Sequence, residues 1–272
     1  LLEADRRARR LASSLLRLGL AEEGTFVGAL AFNTWRLLEV MHAVPGAGGV
    51  LHTANPRLHE RHLAYTVSHC GDRAVFVDLD CLPLAEAIAP ECPGVEHWVI
   101  LADRADMPAT NLPGVLCSED LIEDGDEGWA WPEFDERRAS TLCFTSATTG
   151  EPKGVLYSHR GTVLNLMTIC GKNGWDLGKG DCVLCAAPFF HCNGWGMPYM
   201  APMVGARMVL PGRVVSPAAM LDLIRAEDVT HSGGVPTVLM DLLAKVQADG
   251  GDFGALRHLW TGATAPPESL LR

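Results

Sequence analysis

Thr145-Ser146-Ala147-Thr148-Thr149-Gly150-Glu151-Pro152-Lys153-Gly154-Val155 gathers hydroxyls, glycines and one lysine into a single segment directly after an apolar run. Leu142 to Phe144 reads as a short buried strand and Ser158-His159-Arg160-Gly161 opens a helical pattern, so the segment is a loop at the carboxyl end of a strand. Open α/β sheets bind ligands at such loops. Backbone N–H groups and Ser/Thr hydroxyls donate hydrogen bonds to phosphate oxygens, and the Lys153 ammonium adds a compact charge on a flexible stem. Gly150 and Gly154 keep Cβ atoms away from a ligand. In a Walker loop the lysine follows the last glycine and precedes Ser or Thr. Here Lys153 precedes Gly154 and Val155 follows, so the loop is of another kind. The plain alternative is a solvated Ser/Thr/Gly turn with no ligand.

On either side of the loop, strand and helix patterns alternate. Leu1 to Leu18 is an amphipathic helix that Gly19 can stop. Phe26 to Leu30, Gly49 to Leu51, Ala74 to Asp78 and Trp98 to Leu101 read as strands. The segments Thr34 to Ala43, Leu58 to His69 and Leu84 to Ile88 between them read as helices. After the loop come a helix at Arg160 to Ile169, a strand at Cys182 to Ala186, a helix at Trp195 to Met203 and a strand at Arg207 to Leu210. Helices at Pro217 to Glu227 and Thr237 to Ala248 and a strand at Arg257 to Thr261 complete the series. This alternation predicts an α/β fold with largely parallel sheets covered by helices. The stretch 103–135 is rich in Pro, Gly, Asp and Glu, sustains neither period, and reads as a long acidic surface connection. Two packed α/β subdomains follow, 1–138 and 139–272, the second carrying the phosphate loop.

The 272 residues, 48% of them hydrophobic, suffice for a large buried core. A formal charge of −11 argues against a nucleic-acid partner, because phosphate contacts need a basic surface. No apolar run approaches the ~20 residues of a transmembrane helix, and no basic-plus-apolar leader is present, so a cytoplasmic location is expected. Nine cysteines in no framework spacing point to free thiols. Cys182 and Cys185 with His191 and Cys192 could form a metal or redox cluster. Period-2 geometry nevertheless sends Cys182 and Cys185 to opposite faces of a strand, which favours a structural role. The chain starts at Leu1 without methionine and ends at Arg272 inside a helical pattern, so both ends look cut.

Three further positions have two readings each. His191 follows Pro188-Phe189-Phe190 at a strand end, where an imidazole could orient a carboxylate or phosphate, or be a satisfied core histidine. His42, His52, His59, His62 and His69 read as surface or structural residues. Trp195 either fills the core or closes a lipophilic channel. Gly194, Gly196 and Gly205 leave space for a chain or for close helix packing.

Thr145 to Val155 resembles the phosphate-loop signature of the adenylate-forming enzymes, the superfamily of acyl-CoA synthetases, luciferases and peptide-synthetase adenylation domains. Ala187-Pro188-Phe189-Phe190-His191-Cys192-Asn193-Gly194-Trp195-Gly196-Met197-Pro198-Tyr199 resembles their second shared motif, in the form typical of medium- and long-chain fatty acyl-CoA synthetases. The same branch is suggested by Ala201 to Ala206, Leu210-Pro211-Gly212 and Gly233-Gly234-Val235-Pro236-Thr237. Leu259-Trp260-Thr261-Gly262-Ala263-Thr264-Ala265-Pro266 looks like the start of the adenine-binding segment. The resemblance covers essentially the whole chain and implies part of the large N-terminal domain of such an enzyme.

What the resemblance implies is specific. ATP, Mg²⁺ and CoA would be cofactors and a fatty acid the substrate, activated as acyl-adenylate and passed to CoA; a homodimer is compatible with this. Lys153 and His191 would be catalytic. Thr145, Ser146, Ala147, Thr148, Thr149, Gly150 and Lys153 would hold phosphates, with Thr145 also contacting the metal. Gly262, Ala263 and Thr264 would line the adenine. His191, Trp195 and Gly196 would border the acyl group, with Trp195 as tunnel gate. Ala147 departs from the family's usual glycine, which narrows the approach to the phosphates if φ there is positive. The family's later motifs do not occur, so an incomplete fragment with reduced activity is expected. An aryl or other carboxylate-adenylating enzyme is the nearest rival. A non-catalytic nucleotide-binding module is the rival from another class.

Overall fold

A computed structural model describes residues 2–145, 151–213, 216–262 and 264–268 of the chain. The sequence-predicted phosphate-loop residues Ser146, Ala147, Thr148, Thr149 and Gly150, and Ala263 of the adenine segment, lie outside the described residues. The chain divides into two compact units, Leu1–Val163 with Phe189–Asn193 and Leu164–Pro188 with Gly194–Arg272. This division differs from the expected boundary at 138/139: the strands on either side of the expected phosphate loop belong to the first unit.

The first unit opens with α1 (Leu2–Arg17), β1 (Phe26–Leu30), α2 (Trp35–Ala47), β2 (Val50–Ala54), α3 (Glu60–Cys70) and β3 (Ala74–Asp78). It continues with α4 (Leu82–Ile88), β4 (His97–Leu101), β5 (Val115–Cys117), α5 (Ser118–Glu123), β6 (Ala139–Thr145) and β7 (Lys153–Ser158). Its seven strands run in the order β5-β4-β3-β1-β2-β6-β7. Neighbours are parallel from β5 through β6, and only β7 is antiparallel, to β6. Ala8, Leu11, Ala12 and Leu15 recur at three- and four-residue spacing on α1 and are all buried, which gives the helix one apolar face for α2. Thr34 caps α2 by accepting from the Leu37 N–H, and Gly48, in the left-handed region at φ 108°, ends it. Trp98, fully buried with Val75, Val77 and Ile100, anchors the core on one side of the sheet. Burial of such a ring contributes about 2–3 kcal/mol.

The acidic connection is more ordered than its composition suggests. Val115–Cys117 adds a fifth strand beside β4, and Ser118–Glu123 forms α5. Polar groups from α1 hold that region: Ser14 Oγ donates to Leu121 O at 2.6 Å and Arg10 Nε to Ile122 O at 2.8 Å. Trp131, isolated in sequence, lies on Gly46 of α2 so closely that a Cβ there would stand 2.4 Å from its ring. None of these contacts has a sequence period, so composition and pattern alone suggest a plain loop.

The division of the chain falls within α6 (His159–Ile169), so the second unit starts at Leu164 in that helix and continues with β8 (Cys182–Leu184). The one-turn α7 (Cys192–Trp195), where the chain re-enters this unit, is followed by α8 (Met197–Val204), β9 (Arg207–Val209), α9 (Pro217–Ala226), β10 (His231–Gly234), α10 (Pro236–Asp249) and β11 (His258–Thr261). Its four strands, β11-β10-β8-β9, are all parallel. Leu184, Met220, Ile224, Val229 and Leu242 form the core between this sheet and α9 and α10. No described helix is long and apolar enough to cross a membrane.

Candidate functional site

Two segments differ from the expected local structure, and both differences place the site. The loop after Thr145 returns into β7, antiparallel to β6 with Thr145 opposite Lys153, so it closes a hairpin and does not lead straight into a helix. The loop still leaves the carboxyl end of β6, and Lys153 stands at its far side as an exposed residue with no ion pair among the described residues. Thr145 Oγ1 donates to Lys153 O at 3.3 Å across the mouth of the hairpin.

The second difference is at Trp195, expected on a right-handed helix. Cys192, Asn193, Gly194, Trp195 and Gly196 have φ of 43°, 42°, 61°, 57° and 75°, so α7 is a left-handed turn, and the right-handed α8 starts at Met197. Each non-glycine residue in this region costs about 1–2 kcal/mol. Asn193 offsets part of that cost. Buried within the first unit, its Oδ1 accepts from Thr141 Oγ1 at 3.1 Å, its Nδ2 donates to Thr53 Oγ1 at 3.2 Å, and its N–H meets Cys143 Sγ at 3.2 Å. Upstream, Asn33 Oδ1 accepts from the Phe189 N–H at 2.8 Å. His191 is thus held between two pinned residues while its own side chain is exposed.

These segments enclose a cavity of about 70 Å³ lined by His52, Thr53, Asn55, Leu58, Thr66, Phe144, Thr145, Pro152, Phe190 and His191. A single water needs roughly 10–15 Å³ on this scale, so a small head group fits and a nucleotide does not. Thr145 and His191, 46 residues apart in sequence, share this cavity. No carboxylate is among its lining residues. His52, read from the sequence as a surface or structural residue, is buried in β2 and is among the residues that line the cavity. The available signal was the His52-Thr53 pair inside an otherwise apolar central strand, where polar side chains need partners.

In the second unit, Trp195 is half-buried and lies across two glycines. A Cβ at Gly233 would stand 3.1 Å from its ring and one at Gly262 would stand 3.4 Å away. Trp175 and Trp260 stack beside it with centroids 4.3 Å apart. Gly196 is crowded: a Cβ there would meet Leu166 at 2.4 Å, so this glycine serves close packing. Gly205, at φ 77°, terminates α8. Gly262 and the exposed Thr264 follow the carboxyl end of β11, the edge at which parallel sheets present ligand sites.

Cys182 and Cys185 are buried and Cys192 is exposed, all as free thiols, and burial pushes the Cys185 thiol up to about 12. Among the described residues, one group could offer three metal-binding atoms within 4.8 Å of one another: His52, Cys70 and Asp72. His52 Nδ1 and Asp72 Oδ2 already bond each other at 2.7 Å.

A family model described as AMP-binding enzyme matches residues 2–272. The chain belongs to the AMP-binding enzyme family. It is 42% identical over 270 residues to the medium-chain-fatty-acid–CoA ligase of Ectopseudomonas oleovorans, covering 99% of this chain and 49% of that protein. It is equally 42% identical, over 264 residues, to the 3-methylmercaptopropionyl-CoA ligase of Ruegeria lacuscaerulensis, covering 97% of this chain and 49% of that protein. The fold matches a crystal structure of a long-chain-fatty-acid–CoA ligase from Archaeoglobus fulgidus with a TM-score of 0.85 at 19% identity, over 99% of this chain and 51% of that one. The chain therefore spans about half the length of the relatives it matches.

Proposed function

We propose that this chain carries the phosphate- and carboxylate-binding part of an acid–CoA ligase that activates a fatty acid with ATP and then transfers the acyl group to CoA. One observation carries the reading: Thr145 beside the phosphate loop and His191 of the second motif line the same acid-free cavity. Attack of a carboxylate on the α-phosphate brings two anions together. Lys153, free of any ion pair among the described residues, is available to offset that repulsion and to stabilise departing pyrophosphate. His191 would orient the carboxylate from its pinned strand-end position. Trp195 on its glycine bed would border the acyl chain. Gly262 and Thr264, with Ala263 between them, would line the adenine, and Ser146 to Gly150 would cradle the phosphates.

The residues present suit Mg²⁺ bound chiefly through phosphate. Thr145 supplies an oxygen, and the cavity lacks the carboxylates that an all-protein cage would need. The ion would supply charge neutralisation at the phosphates. A homodimer and a cytoplasmic setting belong to the same proposal. Equal identity to relatives named for a medium-chain fatty acid and for 3-methylmercaptopropionate leaves acyl length to experiment.

Carboxylate-dependent exchange of pyrophosphate into ATP tests the reading, run across a series from propionate to palmitate. Exchange that depends on carboxylate supports it, whereas ATP binding without exchange would favour a nucleotide-binding module. Lys153→Ala is expected to lower exchange by at least tenfold and to leave fatty-acid binding within twofold, because its charge serves the phosphates. Unchanged exchange in that variant removes Lys153 from the chemistry.

A further inference from the structure

Three strands cooperate to bury one ionisable pair behind the cavity. Gly28 on β1 stands opposite His52 on β2, and Asp72 lies just before β3, the other neighbour of β1. A Cβ on Gly28 would stand 2.8 Å from Asp72 Oδ2, so the missing side chain is what lets the carboxylate pass β1 and meet His52 Nδ1 at 2.7 Å. The two side chains are 0% and 1% exposed. Such a pair is costly to desolvate, and a purely apolar filling of the same space would pack as well. Phe144 meets the His52 ring edge-on at 5.2 Å, fixing its plane. With Nδ1 committed to Asp72, the remaining ring nitrogen is Nε2, and His52 is among the residues that line the cavity.

We propose that His52 is a further ligand-binding residue of this site, with Asp72 as its positioning residue: Nε2 of His52 meets an anionic oxygen, of a carboxylate or a phosphate, in the cavity it shares with Thr145 and His191. The cavity chemistry selects this ligand class, since its polar lining is hydroxyl, amide and imidazole without a carboxylate. An anion bound at Nε2 favours a proton there, and Asp72 supplies the balancing charge for the resulting imidazolium. The other ionisable groups about the ring are Cys70, whose thiol burial and Asp72 hold protonated, and His191 across the cavity. Asp72 has one oxygen, Oδ1, with no hydrogen-bond partner among the described residues. Desolvation raises its pKa against the lowering effect of His52. The carboxylate thus depends on His52 for its main compensation, which keeps the ring in place. This inference rests on the functional reading above for the identity of the anion, though not for the geometry of the pair.

The test is nitrogen NMR of the histidine rings in the 272-residue chain, with through-bond assignment, under titration by two probes, sodium octanoate and sodium pyrophosphate. In the free protein the His52 proton is expected on Nδ1. One or both probes should then move Nε2 toward its protonated position, and whichever does so identifies the anion. Asp72→Asn should weaken that probe's binding roughly tenfold, the effect of losing one charge-assisted interaction. A free-state proton on Nε2 with Nδ1 bare would overturn the proposal on the wild-type protein, whether or not the variant folds. His52 unmoved while the Lys153 amide responds overturns this inference and leaves the functional reading standing. His52 moving while Lys153 stays silent to pyrophosphate supports this inference and counts against the phosphate-loop reading, and silence at both with both probes overturns both.

Discussion

At the scale of single residues, the position of His191 is determined less by its own chemistry than by the residues that flank it. Asn193 keeps a left-handed φ of 42° and makes three hydrogen bonds from a buried place. Two substitutions separate these contributions. Asn193→Gly retains the backbone freedom but loses the side-chain bonds, and should cost about 2 kcal/mol in urea denaturation. Asn193→Ala loses both and should cost about 1 kcal/mol more. Equal loss in the two variants would mean that the turn carries no strain. Trp195, half-buried over Gly233 and Gly262, should lose about 2–3 kcal/mol on truncation to Ala, below the ~3–5 kcal/mol of a fully buried tryptophan. If the ring also gates the acyl site, the same variant will bind fatty acid with less dependence on ATP. A destabilised variant that keeps the wild-type ATP response makes Trp195 a packing residue only.

At the scale of elements, β1 and β7 answer different demands. The former is central, and its Gly28 is where a neighbouring carboxylate crosses the sheet. Gly28→Ala should therefore cost about 1–3 kcal/mol through overpacking against Asp72 and displace the His52 ring, which histidine NMR would register. The latter is a sheet edge, with Val155 and Leu156 exposed. An exposed apolar edge is a template for strand addition. Leu156→Lys should raise the concentration at which the purified chain stays dispersed, read by light scattering, with little change in melting temperature. The same elements show how far patterns reach. The near-continuous apolar runs of β3 and β4 were legible because burial on both faces of a parallel sheet demands them. β5 and α5 were not, because three strand residues and six helix residues owe their form to pairing with β4 and to side chains reaching from α1.

At the scale of the whole molecule, each unit holds a histidine whose surroundings disfavour its charged form, half-buried in the first and fully buried in the second. Burial lowers the pKa of His159 in the first unit and of His231 in the second below the ordinary 6.5, and His231 is fully buried. For His231 the Asp181 charge and a backbone hydrogen bond to Asp176 oppose the shift, while His258 and Arg257 add to it. Between the folded value and 6.5 the unfolded chain binds a proton that the folded chain refuses. Stability is then complete above about pH 6.5 and falls as the pH drops below it. Melting temperatures recorded from pH 7.5 to 5 should show this decline, and His231→Gln should flatten it in part. A profile as steep in that variant as in the wild type would assign the acid sensitivity elsewhere.

The sequence by itself determined the class of the fold, the place of the Thr145–Val155 segment at the carboxyl end of a strand, and the family. Each depends on local spacing: apolar periods, turn residues, and hydroxyls, glycines and a lysine brought together in eleven consecutive residues. Only the tertiary structure decided that the loop closes an antiparallel hairpin, that Trp195 stands in a left-handed turn, and that His52 belongs with Thr145 and His191. Those facts come from strand pairing, from the cost of a strained backbone offset by distant hydrogen bonds, and from a carboxylate reaching past a glycine. Such interactions join residues that no sequence period connects.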